Sequence, residues 1–301
     1  MTVTLAPPAI AAPDEVVELR AGGIVRARCS LWWNDVPRHR GRRTGLIGTV
    51  DAANAGLHAA LLGRAAARLR AAGCTLAAGP VDGDTWHRYR LVTWSDGTPP
   101  FALEPYSPAG ATVPWEAAGF APIETYASYR DDALGARDPR VPALESRLGA
   151  AGVTLRALDL AHFDDELAQI HALALRGFRG AALYAPIGFA AFAALYRPLA
   201  PLLDPRLCPV AVRDGRIAGA LFALRDPRAP QTVVLKTVVR DPDRALGGLG
   251  FVLTGRARAA AHALGATRAI SALQHDGSVA RTLAAQAVVF RRYAVFGKEL
   301  L

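Results

Sequence analysis

The residues with most chemical content lie between Val238 and Gly250: Val238-Val239-Arg240-Asp241-Pro242-Asp243-Arg244-Ala245-Leu246-Gly247-Gly248-Leu249-Gly250. A β-branched run ends, a glycine-rich turn follows, and the amphipathic segment from Phe251 to Leu264 begins. Such a turn leaves backbone N–H groups unpaired at the positive end of a helix dipole. Glycine at Gly247, Gly248 and Gly250 lets an anion approach without a Cβ in its way. A diphosphate is the natural occupant, with Arg240 and Arg244 as adjacent cations. His275 has an intrinsic pKa suited to proton transfer, and it closes the next apolar run. Ser278 suits either a hydrogen bond to a ligand or a helix cap. Lys236 stands alone in an otherwise apolar strand, where an ammonium needs a partner or a cavity; Glu104 is a possible partner. Trp86, Tyr89 and Glu104 concentrate aromatic and polar groups around proline-rich turns, as a substrate wall or a packed β-arm would.

The elements that must position these groups read as two similar series. In the first, strands at Val16 to Leu19, Gly23 to Trp33 and Gly45 to Val50 lead to a helix capped by Asn54 and running to about Ala72. A strand from Cys74 to Ala78, a short helix at Trp115 to Ala118 and a strand from Glu124 to Arg130 complete it. In the second, strands at Cys208 to Val212, Ile217 to Leu224 and Thr232 to Val239 lead to the helix after Gly250, and Asp214-Gly215 marks a hairpin turn. A strand from Arg268 to Leu273, a helix from Val279 to Gln286 and a strand from Val288 to Phe296 follow. A strand from Thr154 and helices over Asp164 to Arg176 and Phe189 to Leu195 precede that second series. Residues 1–15 read as a loose arm, 16–135 as a first domain, 131–142 as a polar linker and 143–301 as a second domain.

The second series resembles the Gcn5-related N-acetyltransferase (GNAT) superfamily. Its diphosphate loop has the form Val-x-Pro-x-x-(Arg/Gln)-x-x-Gly-x-(Gly/Ala). With Gly248 and Gly250 on the two small positions, Pro242 falls on the family proline without a gap, and Ala245 stands where Arg or Gln is expected. Trp115-Glu116-Ala117-Ala118-Gly119-Phe120 resembles the family's helix-to-strand junction in the first half. The resemblance implies an α/β fold of two GNAT-like domains, each a mixed, mostly antiparallel sheet flanked by helices. The first half has no glycine loop before Asn54, so the coenzyme site is expected in the second half. The implied activity is N-acyl transfer, with acetyl as the expected group, from acetyl-CoA or another acyl-CoA to a small-molecule amine. Residues 238–240, 244, 247–251 and Ser278 would bind coenzyme A. His275 would serve as base, and Tyr293 would protonate the departing thiolate.

Composition narrows the alternatives. The formal net charge is +9, yet only Lys236 and Lys298 are lysines, and the arginines are scattered except over Arg38 to Arg43. Nucleic acid is therefore an unexpected partner, tRNA entering only if the chain is an aminoacyl-tRNA-dependent transferase of GNAT-like fold. A non-catalytic binding protein of this fold is the other alternative, favoured by Ala245. Three widely spaced cysteines, Cys29, Cys74 and Cys208, form neither a disulfide framework nor a CxxC metal pair, and suit a reducing cytoplasm. No metal is expected, no signal peptide is legible, and no apolar run reaches the length of a membrane span.

Overall fold

The structure, a computed structural model, describes residues 10–105, 107–277 and 286–301. Ser278 and the helix expected over Val279 to Gln286 lie outside the described residues, the last residue of that helix excepted.

The first half opens with a meander of β1 (Glu15–Ala21), β2 (Ile24–Trp32) and β3 (Thr44–Ala52). Helix α1 (Ala55–Ala71) follows, its first turn closed by Asn54, whose side chain accepts the Leu57 N–H at 2.9 Å. Its Leu61, Leu62, Ala65 and Leu69 are buried against the sheet, the stripe that helical spacing demands. Strand β4 (Leu76–Gly79) then runs parallel to β3. After β5 (Leu91–Ser95) and the one-turn helix α2 (Val113–Ala117), β6 (Ala121–Asp131) ends the half.

The segment read as a linker contains α3 (Arg140–Ala150), an element the sequence reading omitted. Pro142 falls in its first turn, where a missing N–H costs nothing. The second half continues with β7 (Thr154–Ala157), α4 (Phe163–Gly177), α5 (Phe189–Tyr196), β8 (Pro209–Arg213), β9 (Arg216–Asp226), β10 (Ala229–Arg240), α6 (Leu249–Ala263), β11 (Arg268–His275) and β12 (Val288–Glu299). Asp214 and Gly215 both have positive φ, as the β8–β9 hairpin turn requires.

All twelve strands join one sheet, in the order β1-β2-β3-β4-β12-β6-β11-β10-β9-β8-β7, with β5 against the outer part of β12. Among the described residues only β3–β4 and β10–β11 are parallel pairs. The halves are interleaved at the centre: β12 lies between β4 and β6, and β6 lies between β12 and β11. A division at 136–142 thus separates two sets of helices, while the last strand crosses back into the sheet of residues 16–135. On one face of the second half, α3 and α6 cover Leu221, Ala223 and Val233. On the other, α4 and α5 cover Val210, Phe222 and Val239, the alternation of a strand with both faces buried.

Candidate functional site

Strands β10 and β11 stay paired only from Thr232–Arg268 to Leu235–Ser271. Beyond that point β10 follows β9 and β11 follows β6, each through a register shift, so the two strands part. The shift in β10 falls at Lys236. Its side chain faces a cavity of about 1340 Å³ that extends between the two halves. Lys236 Nζ donates to the Leu103 carbonyl at 3.2 Å rather than to the Glu104 carboxylate beside it. Burial and the nearby Arg90 charge push its pKa down to about 8, with Glu104 opposing them.

Three further groups frame the cavity. Arg90 is buried between the rings of Tyr89 and Tyr126, 3.7 and 4.1 Å from their centroids, and donates to the Leu273 carbonyl at 3.4 Å. Burial lowers its pKa to about 10, which leaves it a cation at neutral pH. Glu124 bridges two imidazoles: His39 Nε2 lies 2.7 Å from Oε1 and His275 Nε2 lies 2.6 Å from Oε2, with Arg40 at 3.2 Å. Burial opposes the ionised carboxylate, but the hydrogen bonds from His275 and His39 outweigh it, and its pKa falls below the usual value. On the opposite wall, Trp86 donates from Nε1 to the Ala185 carbonyl at 2.9 Å and meets Phe178, Tyr184 and Phe192 at ring distances of 5.7–6.2 Å.

The end of β10 leads into the glycine turn. Asp241 and Asp243 cap the turn's own N–H groups and are paired with Arg176 and Arg213 at 3.0 and 3.1 Å, so they do not repel an anion at full charge. Gly248 takes φ +86° at the N-cap of α6 and has no side chain to fill the helix end. The N–H groups of Gly248, Leu249 and Gly250 have no partner among the described residues. Gly250 faces open space, its nearest obstacle to a Cβ being Val238 Cγ1 at 3.9 Å. Helix α3 grips the same turn from outside: Arg147 donates to the Ala245 and Gly247 carbonyls, and Leu144 packs on Gly248. Arg244 is exposed and its side chain has no hydrogen-bond or ion-pair partner among the described residues, so it is available to an anion. These groups fit a diphosphate in spite of Ala245.

The corresponding place in the first half is occupied by the chain itself. The Asp82 carboxylate accepts the Thr49 N–H at 2.6 Å, and Gly48 lies directly against the Val81 carbonyl.

No protein-family model matches this chain. A bacterial ceramide synthase from Caulobacter vibrioides is 28% identical over 157 residues, or 52% of this chain and 41% of that relative. The chain thus matches about two fifths of the curated relative's length. Among solved structures, a GCN5-related N-acetyltransferase from Sphaerobacter thermophilus superposes with a TM-score of 0.51 at 15% identity, over 95% of this chain and 81% of that one. The GCN5-related glucosamine N-acetyltransferase region of a fungal multi-domain β-N-acetylglucosaminidase gives 0.52 at 13%, over 92% and 32%.

The chain has the GNAT fold. β10 and β11 are the two strands that part, and the turn before α6 stands where the sequence resemblance leads a diphosphate loop to be expected. Val238 and Lys236 line the cavity where the strands part, Val239 is buried under α4, and Arg240 turns back onto the Asp241 carbonyl. Phe251 sits under the Arg140 guanidinium, 4.3 Å from its ring. Trp86, Tyr89 and Glu104, expected as a substrate wall, all line the cavity.

Two expected catalytic groups are placed differently. Tyr293 is fully buried in β12; its hydroxyl donates to Glu104 and meets Ser128 Oγ at 3.0 Å, behind the cavity wall. Burial and the Glu104 charge push its pKa upward, away from that of a thiol. His275 lines the cavity, but Nε2 is held by Glu124 and Nδ1 accepts the Gly277 N–H at 3.0 Å. That pair of bonds leaves no free lone pair on the ring.

Arg90, Glu124 and His39 were not singled out from the sequence. The signal for Glu124 was available, a lone carboxylate in the run Ile123-Glu124-Thr125-Tyr126. Six of the nine buried side-chain polar atoms without a partner, among the described residues, belong to residues lining this one cavity: His39, His87, Arg90, Tyr184, Thr254 and Gln274. Native interiors leave few such groups, so their concentration marks a place completed by water or a ligand. Among the described residues no group of three or more His, Cys, Asp or Glu side chains is arranged to hold a metal ion, and no described helix is long and apolar enough to cross a membrane. Within the basic run, Arg40 and Arg42 are tied to Glu124 and Glu299, and Arg38 to the Gly41 carbonyl.

Proposed function

We propose that the protein is a coenzyme A-dependent N-acyltransferase that moves an acyl group from an acyl-CoA to an amine. The observation that carries this reading is the row of N–H groups at Gly248, Leu249 and Gly250, without a partner among the described residues, near the place where β10 and β11 part and open onto the Lys236 cavity. A bacterial ceramide synthase among its relatives supports an amine as acceptor. The cysteines Cys29, Cys74 and Cys208 are buried free thiols, in keeping with a cytoplasmic setting.

The bound thioester supplies an activated acyl carbon. Gly248 to Gly250 and Arg244 hold the diphosphate, and the gap beyond Leu235 directs the thioester toward Lys236. The new C–N bond forms as the C–S bond breaks, so one proton must leave the amine and one must reach the sulfur. Lys236, with a pKa near 8, is the group in the cavity matched to both transfers. Its neutral amine takes the proton from the attacking nitrogen, and its ammonium returns it to the departing sulfur. Arg90 keeps Lys236 from holding its proton too tightly. His275 and His39 hold the Glu124 carboxylate on the opposite side and shape the acceptor's surroundings. Trp86, Tyr89 and Glu104 bound the acceptor space.

The test is thiol release from acetyl-, octanoyl- and dodecanoyl-CoA in the presence of a panel of primary amines, with mass detection of the amide. Lys236→Met should lower turnover about 100-fold or more while coenzyme A binding persists. Binding of acyl-CoA without amide formation for any amine would sink the enzymatic reading and favour a binding protein.

A further inference from the structure

The cavity is larger than an acetyl group and a small amine require. Ligand pockets for drug-sized molecules span roughly 300–1000 Å³, and this one reaches about 1340 Å³. Protein interiors are otherwise close-packed, so a void of this size is a feature to be filled. Its walls are not uniform. Arg38, Arg88 and Arg179 also line the cavity, but Arg90, Glu104, Lys236 and the Glu124 cluster gather where β10 and β11 part. Away from them, the connection after α4, helix α5 and the turn that follows contribute Phe178, Tyr184, Leu195, Tyr196 and Leu199, faced by Trp86 from the first half. The aromatic members are braced against one another: Phe192 meets Tyr196 at 4.6 Å and Trp86 at 5.7 Å, and Tyr196 meets Phe222 at 5.0 Å. The Tyr196 hydroxyl bonds to Thr237, the neighbour of Lys236, so the apolar arm starts at the reacting centre itself.

We propose that this arm binds a long aliphatic chain, carried either by the acyl thioester or by the acceptor amine. The proposal rests on the acyltransferase reading for its reacting centre, but the arm's affinity for a chain stands on its own walls. A methylene is close in size to a water, whose share of liquid volume is about 30 Å³. A sixteen-carbon chain therefore takes roughly 500 Å³ and leaves more than half the cavity for the pantetheine arm and the acceptor's polar end. Each methylene moved from water into such a wall tightens binding by up to about fourfold.

Calorimetry on the full chain separates the two carriers. One arm of the experiment titrates coenzyme A, acetyl-CoA, octanoyl-CoA and dodecanoyl-CoA; the other titrates butylamine, octylamine and dodecylamine, with and without coenzyme A. The expected result is a stepwise fall in Kd, at least tenfold from the shortest to the longest chain, in one arm or in both. The arm that responds identifies the carrier. Leu199→Trp, which fills the apolar arm away from the reacting groups, should abolish that gain and leave acetyl-CoA binding within about twofold. Leu199→Ala, which widens it, should preserve or extend the gain, and guards against a tryptophan variant that fails to fold. Coenzyme A binding with no dependence on chain length in either arm overturns the proposal and leaves the acyltransferase reading intact. Failure of coenzyme A to bind, with dodecylamine still binding more tightly than butylamine, overturns the acyltransferase reading and leaves the chain site standing.

Discussion

Gly248 and Gly250 sit two residues apart in one turn, yet they should respond in opposite ways to substitution. At Gly250 the backbone is helical and a Cβ would have 3.9 Å of clearance to Val238. Gly250→Ala should therefore fold well and gain about 0.5–1 kcal/mol from the lower backbone entropy of the unfolded chain. Its methyl does not reach far enough to close the cradle, so coenzyme A should bind within about threefold of wild type. Gly250→Asp should fold equally well but place a carboxylate beside the diphosphate. One unit of like charge at about 5 Å in an effective dielectric of about 20 costs roughly 3 kcal/mol, or about two powers of ten in Kd. At Gly248, by contrast, φ is +86° and a Cβ would lie 2.7 Å from Leu144 Cδ2. Gly248→Ala should lose about 1–3 kcal/mol of stability through strain and the displaced leucine. The assays are thermal melts and calorimetric titration with coenzyme A. A folded Gly250→Asp protein that binds coenzyme A within threefold of wild type would refute the assignment of this turn as the diphosphate cradle.

Other expectations follow from the same geometry. Arg90→Met removes a cation that depresses the Lys236 pKa, so the rising limb of kcat/KM, set by neutral Lys236 near pH 8, should move to higher pH; an unmoved limb would show that another group titrates there. The Glu124 pKa is lowered in the folded state, so its contribution to stability is fully present above its unfolded value and is lost as pH falls through the lower folded one. Urea melts should accordingly show wild type losing stability in acid, and Glu124→Gln, about 1–3 kcal/mol less stable at neutral pH, losing less of it. Arg147→Ala frees the Ala245 and Gly247 carbonyls, and should weaken coenzyme A binding by roughly threefold to tenfold with little change in melting temperature.

The elements with strong local signals were legible in the sequence. Helix α1 declared itself by its leucine spacing and by Asn54, the β8–β9 hairpin by Asp214-Gly215, and the turn before α6 by its glycines. Helix α3 was read as linker because Pro139 and Pro142 look like breakers, although a helix tolerates proline at its start. The place of β12 was illegible for a deeper reason: which strands pair is a non-local fact, and nothing within 288–299 says that its neighbours are β4 and β6. The surroundings of Tyr293 were illegible for the same cause, since they depend on that pairing. Lys236 was legible as an isolated charge in an apolar run, whereas its actual partner, the Leu103 carbonyl, belongs to a loop 133 residues away. The Glu124 bridge joins His39, Glu124 and His275 from three distant stretches, and only the folded sheet brings them together.

The interleaving of β12 and β6 bears on how the protein can be made as well as on how it stands. Until residues 288–299 leave the ribosome, β4 and β6 lack the strand that joins them, and each presents a row of unsatisfied backbone groups. The first half is thus synthesised before the second but completed only after it. Residues 1–135 expressed alone should associate through those open edges, and a separately supplied peptide spanning 286–301 is the natural candidate to quench them.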